Sequence, residues 1–231
     1  LGANERLVAN PVLRAASAWL FWLIPFAVSG DAGGFSTFAS SAADRDLRLI
    51  DLLGGSHHDV AVAAVAAWVL WILVDAWLLV AFCTSIRDGR VDLGADLRTF
   101  GRVAALNLTA WAAIFAVALW SLDAALPAQV AISIATFYAP YLIALEGEGL
   151  GEAMARNARL VGRSTGPVLA ILLAAFLAAV IGFSLLDQPV IDGARALPLM
   201  VLAAVLFDGL LAYASDCAAI GVLLELGERS R

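Results

Sequence analysis

The residues from Trp68 to Phe82 read WVLWILVDAWLLVAF, and fourteen of these fifteen side chains are apolar. The exception is Asp75, near the middle of the run. Extended to residues 60–84, the run exceeds the roughly 20 residues that an α-helix needs to cross a bilayer. The stretch therefore predicts a transmembrane helix, and it raises the question of what a carboxylate does inside it.

The composition extends this prediction to the whole chain. Of 231 residues, 62% are hydrophobic and 15% are charged, whereas a soluble domain is about half apolar and about a quarter charged. Buried backbone amides in lipid must be paired within each segment, and the runs lack the alternation of a barrel. We predict one all-α integral membrane domain over residues 1–231, a helix bundle with six spans at about 12–29, 60–84, 103–122, 129–145, 165–186 and 198–225.

The basic residues predict how the chain is threaded. All 14 are arginine. If the N-terminus is cytoplasmic, only Arg45, Arg48 and Arg195 fall outside, which leaves eleven inside and satisfies the positive-inside rule. We therefore predict a multi-pass protein of a prokaryotic plasma membrane with both termini in the cytoplasm, and we treat residues 12–29 as an anchored helix.

The connecting segments contain further helical patterns. We expect an outer surface helix at about 42–53, and short amphipathic helices along the inner interface at 93–102 and 150–163. The inner two carry arginines that are candidates for binding anionic lipid head groups. These are Arg98, Arg102, Arg156, Arg159 and Arg163. Local support of the helix by a Glu152–Arg156 pair is an equally good interpretation.

Three carboxylates lie inside predicted spans: Asp75, Asp208 and Asp216. A charged Asp at the centre of a membrane helix costs about 2.5–3.5 kcal/mol on insertion scales, so each should face the bundle or a wet cavity. Ser215 is seven residues from Asp208 and shares its helical face. Two interpretations remain open. The aspartates form an ion or proton path, or they pin helices through hydrogen bonds such as one from the indole of Trp68 or Trp71.

Several kinds of chemistry have little support. Without lysine, a Schiff base with retinal or pyridoxal and a P-loop are excluded. The two cysteines lie in apolar runs, so buried thiols are expected rather than disulfides. His57 and His58 are adjacent and point about 100° apart on a helix, which leaves them weak candidates for an outer metal site. We predict no metal or cofactor, and no basic domain that would bind nucleic acid.

Span four contains a further signal. Pro140 cannot donate to the helical ladder, so it frees the carbonyl of Thr136 and predicts an interruption there. Tyr138 and Tyr141 flank the proline. Broken helices can mark transport sites, although prolines are also ordinary in membrane helices.

The segment EGEGLGEAMARNARLVGRSTGPVLAILLAAFLAAV, residues 146–180, resembles a recurring part of uncharacterised prokaryotic six-helix membrane families. These are similar to the membrane domain of glycerophosphodiester phosphodiesterases. The residues that fit the pattern are Glu146, Gly149, Ala153, Arg156, Leu160 and Arg163, and Asn157 stands where such families often have Ser. The resemblance covers about 35 residues and implies a membrane bundle without catalysis, because the phosphodiesterase activity of that family resides in a separate soluble domain.

No nucleophile–base pair, metal motif or phosphate loop is recognisable, so we do not expect an enzyme. The leading hypothesis is a non-catalytic integral membrane protein that acts as a scaffold or accessory subunit. Its partners would be the lipid bilayer and other membrane protein subunits or a second copy of itself. The alternative is a small ion- or proton-coupled transporter or channel that uses the intramembrane aspartates. Lipid binding through the arginines is a third hypothesis.

Overall fold

The computed structural model describes residues 58–88, 96–182 and 198–228, and this part of the chain is entirely helical. The predicted span at 12–29, the outer helix at 42–53 and His57 lie outside it. Its helices are α1 (His58–Asp88), α2 (Leu97–Trp120), α3 (Leu122–Thr136), α4 (Ala139–Glu146), α5 (Leu150–Arg163), α6 (Thr165–Gly182) and α7 (Pro198–Glu228).

Three segments are long and apolar enough to cross a membrane: Leu97–Val117, Pro127–Glu146 and Leu210–Gly227. They overlap the predicted third, fourth and sixth spans at 103–122, 129–145 and 198–225. A fourth candidate combines α5 with residues Thr165–Ala178 of α6, whose axes differ by 94°. For the part of the chain that the structure describes, the prediction of an all-α membrane bundle is confirmed: it is helical, and three or four of its segments are able to span a membrane.

Of the predicted inner helix at 93–102, residues 93–95 lie outside the described part of the chain. Residues 97–102 are helical, but they form the first turns of α2 and not a separate helix, which corrects the sequence-based assignment. Asp96 accepts hydrogen bonds from the backbone N–H groups of Arg98 and Thr99, both at 3.2 Å, and thereby caps α2. From Leu97 the helix continues without interruption to Trp120. The reason is that nothing at Gly101 or Arg102 breaks a helix, since an interior glycine costs only about 1 kcal/mol.

α2 and α3 pack against each other and are joined through a single residue. Ser121 is extended, with φ −153° and ψ 115°, and its N–H donates to Val117 O. Its hydroxyl accepts from Ala124 N at 3.4 Å, so one side chain ends the first helix and begins the second. Trp120, next to this turn, is 88% exposed, as suits an indole at a membrane interface.

The interruption that Pro140 predicts is present. α3 ends at Thr136 and α4 begins at Ala139, with Pro140 in its first turn. There the proline lacks only an N–H that the start of a helix would leave unpaired in any case. α4 ends at Gly147, whose φ of 72° is readily available to glycine, and Gly147 N donates to Ile143 O at 3.0 Å.

The short helix α4 lies at the centre of the core. It packs against α1, α2 and α5, and its side chains at Leu142 and Ile143 are fully buried. Phe82 of α1 and Ile220 of α7 belong to the same buried cluster. The ring of Phe82 also meets that of Tyr213 edge-on, with centroids 5.9 Å apart, so α1 and α7 are in contact. The broken helix is therefore an internal element.

Candidate functional site

The two-residue break between α3 and α4 is held by a side chain from α5. Asn157 is 1% exposed. Its Oδ1 accepts a hydrogen bond from the backbone N–H of Tyr138 at 2.7 Å, and its Nδ2 donates to Ala135 O at 2.6 Å. One amide thus satisfies a backbone donor and a backbone acceptor that face each other across the break. Inside an apolar bundle both groups would otherwise lack water to pair with.

The side chain of Tyr138 forms a second link between the break and α5. It is fully buried, and its hydroxyl lies 2.9 Å from Ser164 Oγ. Ser164 donates its own proton to Leu160 O at 2.8 Å. Because the hydroxyl of Ser164 has no second proton, it accepts the hydrogen bond that the hydroxyl of Tyr138 donates. Because Ser164 separates α5 from α6, this bond ties the break to the 94° bend.

Asp216 is the predicted intramembrane carboxylate whose partner is clearest. It is 4% exposed on α7. The hydroxyl of Tyr141, on α4, donates to its Oδ1 at 2.6 Å. A phenol hydroxyl this close stabilises an otherwise costly buried carboxyl and fastens α4 to α7. Sequence reasoning named Asp216 and noted Tyr141 beside the proline, but it did not pair them.

A crevice of about 240 Å³ opens beside this pair, and we call it the intramembrane crevice. It lies between the break, α6 and the middle of α7. Its lining residues are Ser133, Thr136, Phe137, Pro140, Tyr141, Ile171, Leu172, Ala175, Ser215 and Ala219. Ser215 is half-buried and donates its hydroxyl to Leu211 O at 2.9 Å, within its own helix. The crevice therefore combines a helix break, hydroxyl groups and an adjacent carboxyl.

Asp75, the second predicted aspartate, is not among the residues that line the crevice. It is half-buried on α1 and takes part in an interaction within the protein. The side chains of Asp208, His58, Trp68 and Trp71 lie outside what the structure describes.

α5 is the strongly amphipathic helix that the sequence predicts at 150–163. Ala153, Asn157 and Leu160 are buried along one face, whereas Arg159 and Arg163 are exposed. Arg156 does not pair with Glu152, which corrects the predicted i, i+4 pair. Arg156 forms ion pairs with Glu146 and Glu148.

The corrected pairing follows from the turn between α4 and α5. Glu152 turns back to accept from Gly149 N at 3.2 Å, at the start of its own helix. Arg156 therefore pairs with Glu146, the last residue of α4, and with Glu148, which follows that helix. Their hydrogen bonds, Glu146 first and then Glu148, hold the pKa of Arg156 above its ordinary value.

Two of the arginines proposed for lipid binding have partners within the protein. Arg102 donates from Nη1 to Gly147 O at 2.9 Å and to Glu148 O at 3.1 Å. These carbonyls follow the last turn of α4, where a cation is favoured. Arg156 is held by its two glutamates, whereas Arg98 is exposed at the start of α2.

No group of three or more His, Cys, Asp or Glu side chains able to hold a metal occurs in the ranges 58–88, 96–182 and 198–228. Cys83 is buried, Cys217 is half-buried, and they form no disulfide. In the described part of the chain, the polar contacts reported above therefore lie mainly at the break between α3 and α4 and on α5.

Comparisons with protein-family models, with curated proteins and with solved structures find no match to this chain. The resemblance of residues 146–180 to the membrane domain of glycerophosphodiester phosphodiesterases thus stays a sequence-based prediction.

Proposed function

We propose that the chain is a non-catalytic integral membrane protein, a scaffold or accessory subunit of a membrane complex. In this proposal it crosses a prokaryotic plasma membrane six times and keeps both termini in the cytoplasm. The positive-inside distribution of arginine supports this threading. The proposal also includes the predicted resemblance of residues 146–180 to membrane domains that have no catalytic activity.

The observation that carries the proposal is the presence of small residues on two exposed helix faces. α6 buries Val168 and half-buries Leu172, while Gly166, Ala170 and Ala174 are exposed at four-residue intervals on another face. α2 presents the same spacing with Ala105, Thr109 and Ala113, all exposed. Small residues at this spacing let the backbones of two membrane helices approach closely, which is a common way for such helices to associate.

The test places a photo-crosslinking residue at Ala113 or Ala174 in the native membrane, with Val130 as the control. Val130 is also exposed, on α3, but it is a bulky β-branched residue. We expect protein adducts from positions 113 and 174, either to a second copy or to a distinct membrane protein, and lipid adducts from position 130. If positions 113 and 174 yield lipid adducts alone, the proposal of a scaffold fails.

A second candidate function, ion- or proton-coupled transport, is supported by the intramembrane crevice. Discontinuous helices beside a buried ionisable residue are a recurring arrangement in transporters. Ser215 and Tyr141 line the crevice, Asp216 follows Ser215 in the chain, and the hydroxyl of Tyr141 donates to the carboxyl of Asp216. In this candidate function, the carboxyl of Asp216 would carry the proton.

Flux measurements in liposomes distinguish the two candidates. If the protein transports protons or cations, Asp216→Asn should abolish flux because an amide cannot titrate, and Asp75→Asn should do the same if both carboxyls lie on the path. Asp96→Asn changes an exposed carboxyl at the start of α2 and serves as the control. A wild-type protein without proton or cation flux would remove transport from consideration.

A further inference from the structure

A second pocket, distinct from the intramembrane crevice, lies where α5 meets the last turns of α7. It has a volume of about 160 Å³ and is lined by Arg156, Arg159, Leu160, Arg163, Leu223, Leu226 and Gly227. We call it the arginine pocket. A single water needs only about 10–15 Å³, so the pocket admits a much larger group.

Helical spacing explains why these side chains converge. Positions 156, 159, 160 and 163 are separated by three, four and seven residues, which places them along one side of α5. Leu223, Leu226 and Gly227 have the same relation on α7. Since Gly227 has no side chain, it leaves the pocket open at that end, and a Cβ added there would meet nothing within 4 Å.

The charge of the pocket is positive and only partly compensated. Arg156 is neutralised by Glu146 and Glu148. Arg159 and Arg163 form no hydrogen bond or ion pair with any residue in the described ranges, and both are exposed. Glu225 lies on α7 between the two leucines of the pocket but is itself exposed. Among the side chains that the structure describes, the two guanidinium groups at the opening therefore have no fixed counter-charge.

The walls of the pocket are apolar. Leu160 is 9% exposed and Leu223 is 5% exposed, and both belong to the core of the protein. The pocket is also at the edge of the apolar region, because α5 follows the membrane-length segment that ends at Glu146, and Gly227 ends another. A ligand in this pocket would contact guanidinium groups at its head and the apolar walls along its side. This arrangement suits an amphiphilic molecule.

We propose that the arginine pocket binds the phosphate group of an anionic phospholipid, with Arg159 and Arg163 as the phosphate ligands. Planar guanidinium groups match phosphate oxygens in pairs, so two adjacent arginines suit a phosphodiester. The leucines of the pocket accommodate the glycerol and the first methylenes of the chains. This inference is independent of the proposed scaffold role, and it assigns lipid recognition to a defined pocket instead of a diffuse basic surface.

Native mass spectrometry of the purified protein with phosphatidylglycerol or phosphatidylcholine tests the proposal. Wild type should retain phosphatidylglycerol preferentially. Arg159→Gln and Arg163→Gln should each lower its affinity about fivefold, the contribution of one basic residue at an anionic surface. Arg98→Gln is the matched control, since it removes an exposed arginine outside the pocket, and it should leave binding unchanged.

Gly227→Leu tests the pocket without touching its charges. The leucine side chain would extend into the open end, and leucine favours a helix more than glycine does, so the fold should survive while lipid is displaced. Equal retention of the two lipids, an Arg98→Gln loss as large as the losses from the pocket variants, or unchanged binding by Gly227→Leu would each overturn the proposal. Release of the lipid by millimolar inorganic phosphate would also overturn it, because the site would then recognise free phosphate.

Discussion

The amide of Asn157 satisfies two backbone groups outside its own helix, one at the end of α3 and one in the break that follows it. Within a continuous helix, Tyr138 N–H and Ala135 O would have had partners along the ladder. The break before Pro140 removes them, and the amide replaces them from α5.

We predict that Asn157→Leu destabilises the protein by about 2–6 kcal/mol, because two buried backbone groups lose their partners at about 1–3 kcal/mol each. Asn157→Asp should cost less than Asn157→Leu when its buried carboxyl is protonated, since a neutral carboxyl accepts from Tyr138 N–H and donates to Ala135 O. Reversible unfolding in mixed micelles measures both. A leucine variant within 0.5 kcal/mol of wild type would contradict this role for Asn157.

The bond between Tyr138 and Ser164 makes a separate prediction. Tyr138→Phe should cost about 0.5–1.5 kcal/mol, the usual net value of one hydrogen bond. Ser164→Ala removes the same bond and the bond to Leu160 O. If the pair interacts, the double variant costs less than the sum of the single variants. Additive costs in the same unfolding assay would show that the hydroxyls contribute independently.

At the scale of elements, α2 and α5 show how far an amphipathic sequence pattern predicts a separate helix. Both predicted inner helices have an apolar face and arginines, yet only α5 is a separate helix. At α5, the turn through Gly147 and Gly149 changes the direction of the chain before the helix begins, and Ser164 ends it. The start of α2 has no such interruption after its cap at Asp96.

The sequence predicted the helix break because proline acts locally, and it predicted Asp216 because a carboxylate in an apolar run is conspicuous. The partners of these residues were not predictable. Asn157 lies nineteen residues from Tyr138, and Asp216 lies seventy-five from Tyr141. Which side chain fills a distant gap depends on helix packing, which spacing along one element does not determine. The role of Arg102 was missed for the same reason.

The cap at Asp96 makes a pH-dependent prediction. Hydrogen bonds from the Thr99 hydroxyl first, and then from Arg98 N–H, lower the pKa of Asp96 below its ordinary 3.8. A lowered pKa means that the cap stabilises the start of α2 fully above the unfolded pKa and is lost as pH falls through the folded pKa. Amide exchange at Arg98 and Thr99 should therefore accelerate, relative to intrinsic rates, below about pH 3.8.

Asp96→Asn provides the control for this titration. Asparagine caps helices about as well as aspartate does, but it does not titrate, so the acid-induced loss of protection should disappear. Protection at Ala124, whose cap is the uncharged Ser121, should not follow the same profile. An identical acid response in the Asp96→Asn variant would show that another group controls the start of α2.

For the molecule as a whole, the proposed threading predicts which loops meet the periplasmic side. In a variant with Cys83 and Cys217 replaced by alanine, single cysteines are introduced at Ser56, Ala95 and Ser230. An impermeant thiol reagent should label position 56 in intact cells, and positions 95 and 230 only after permeabilisation. Six spans with eleven arginines inside require this pattern. Labelling of position 95 in intact cells would reverse the orientation.

The dependence of the helix break on Asn157 also fixes an order of events during synthesis. α4 has eight residues, which is too short for a stable helix on its own. Its partner amide emerges from the ribosome nineteen residues after Tyr138. A nascent chain that ends before residue 157 therefore contains α4 but lacks the Asn157 amide, which pairs the backbone groups at the break. Closure of the break must therefore wait for α5, and the core is complete only when α7, which carries the buried Ile220, has followed.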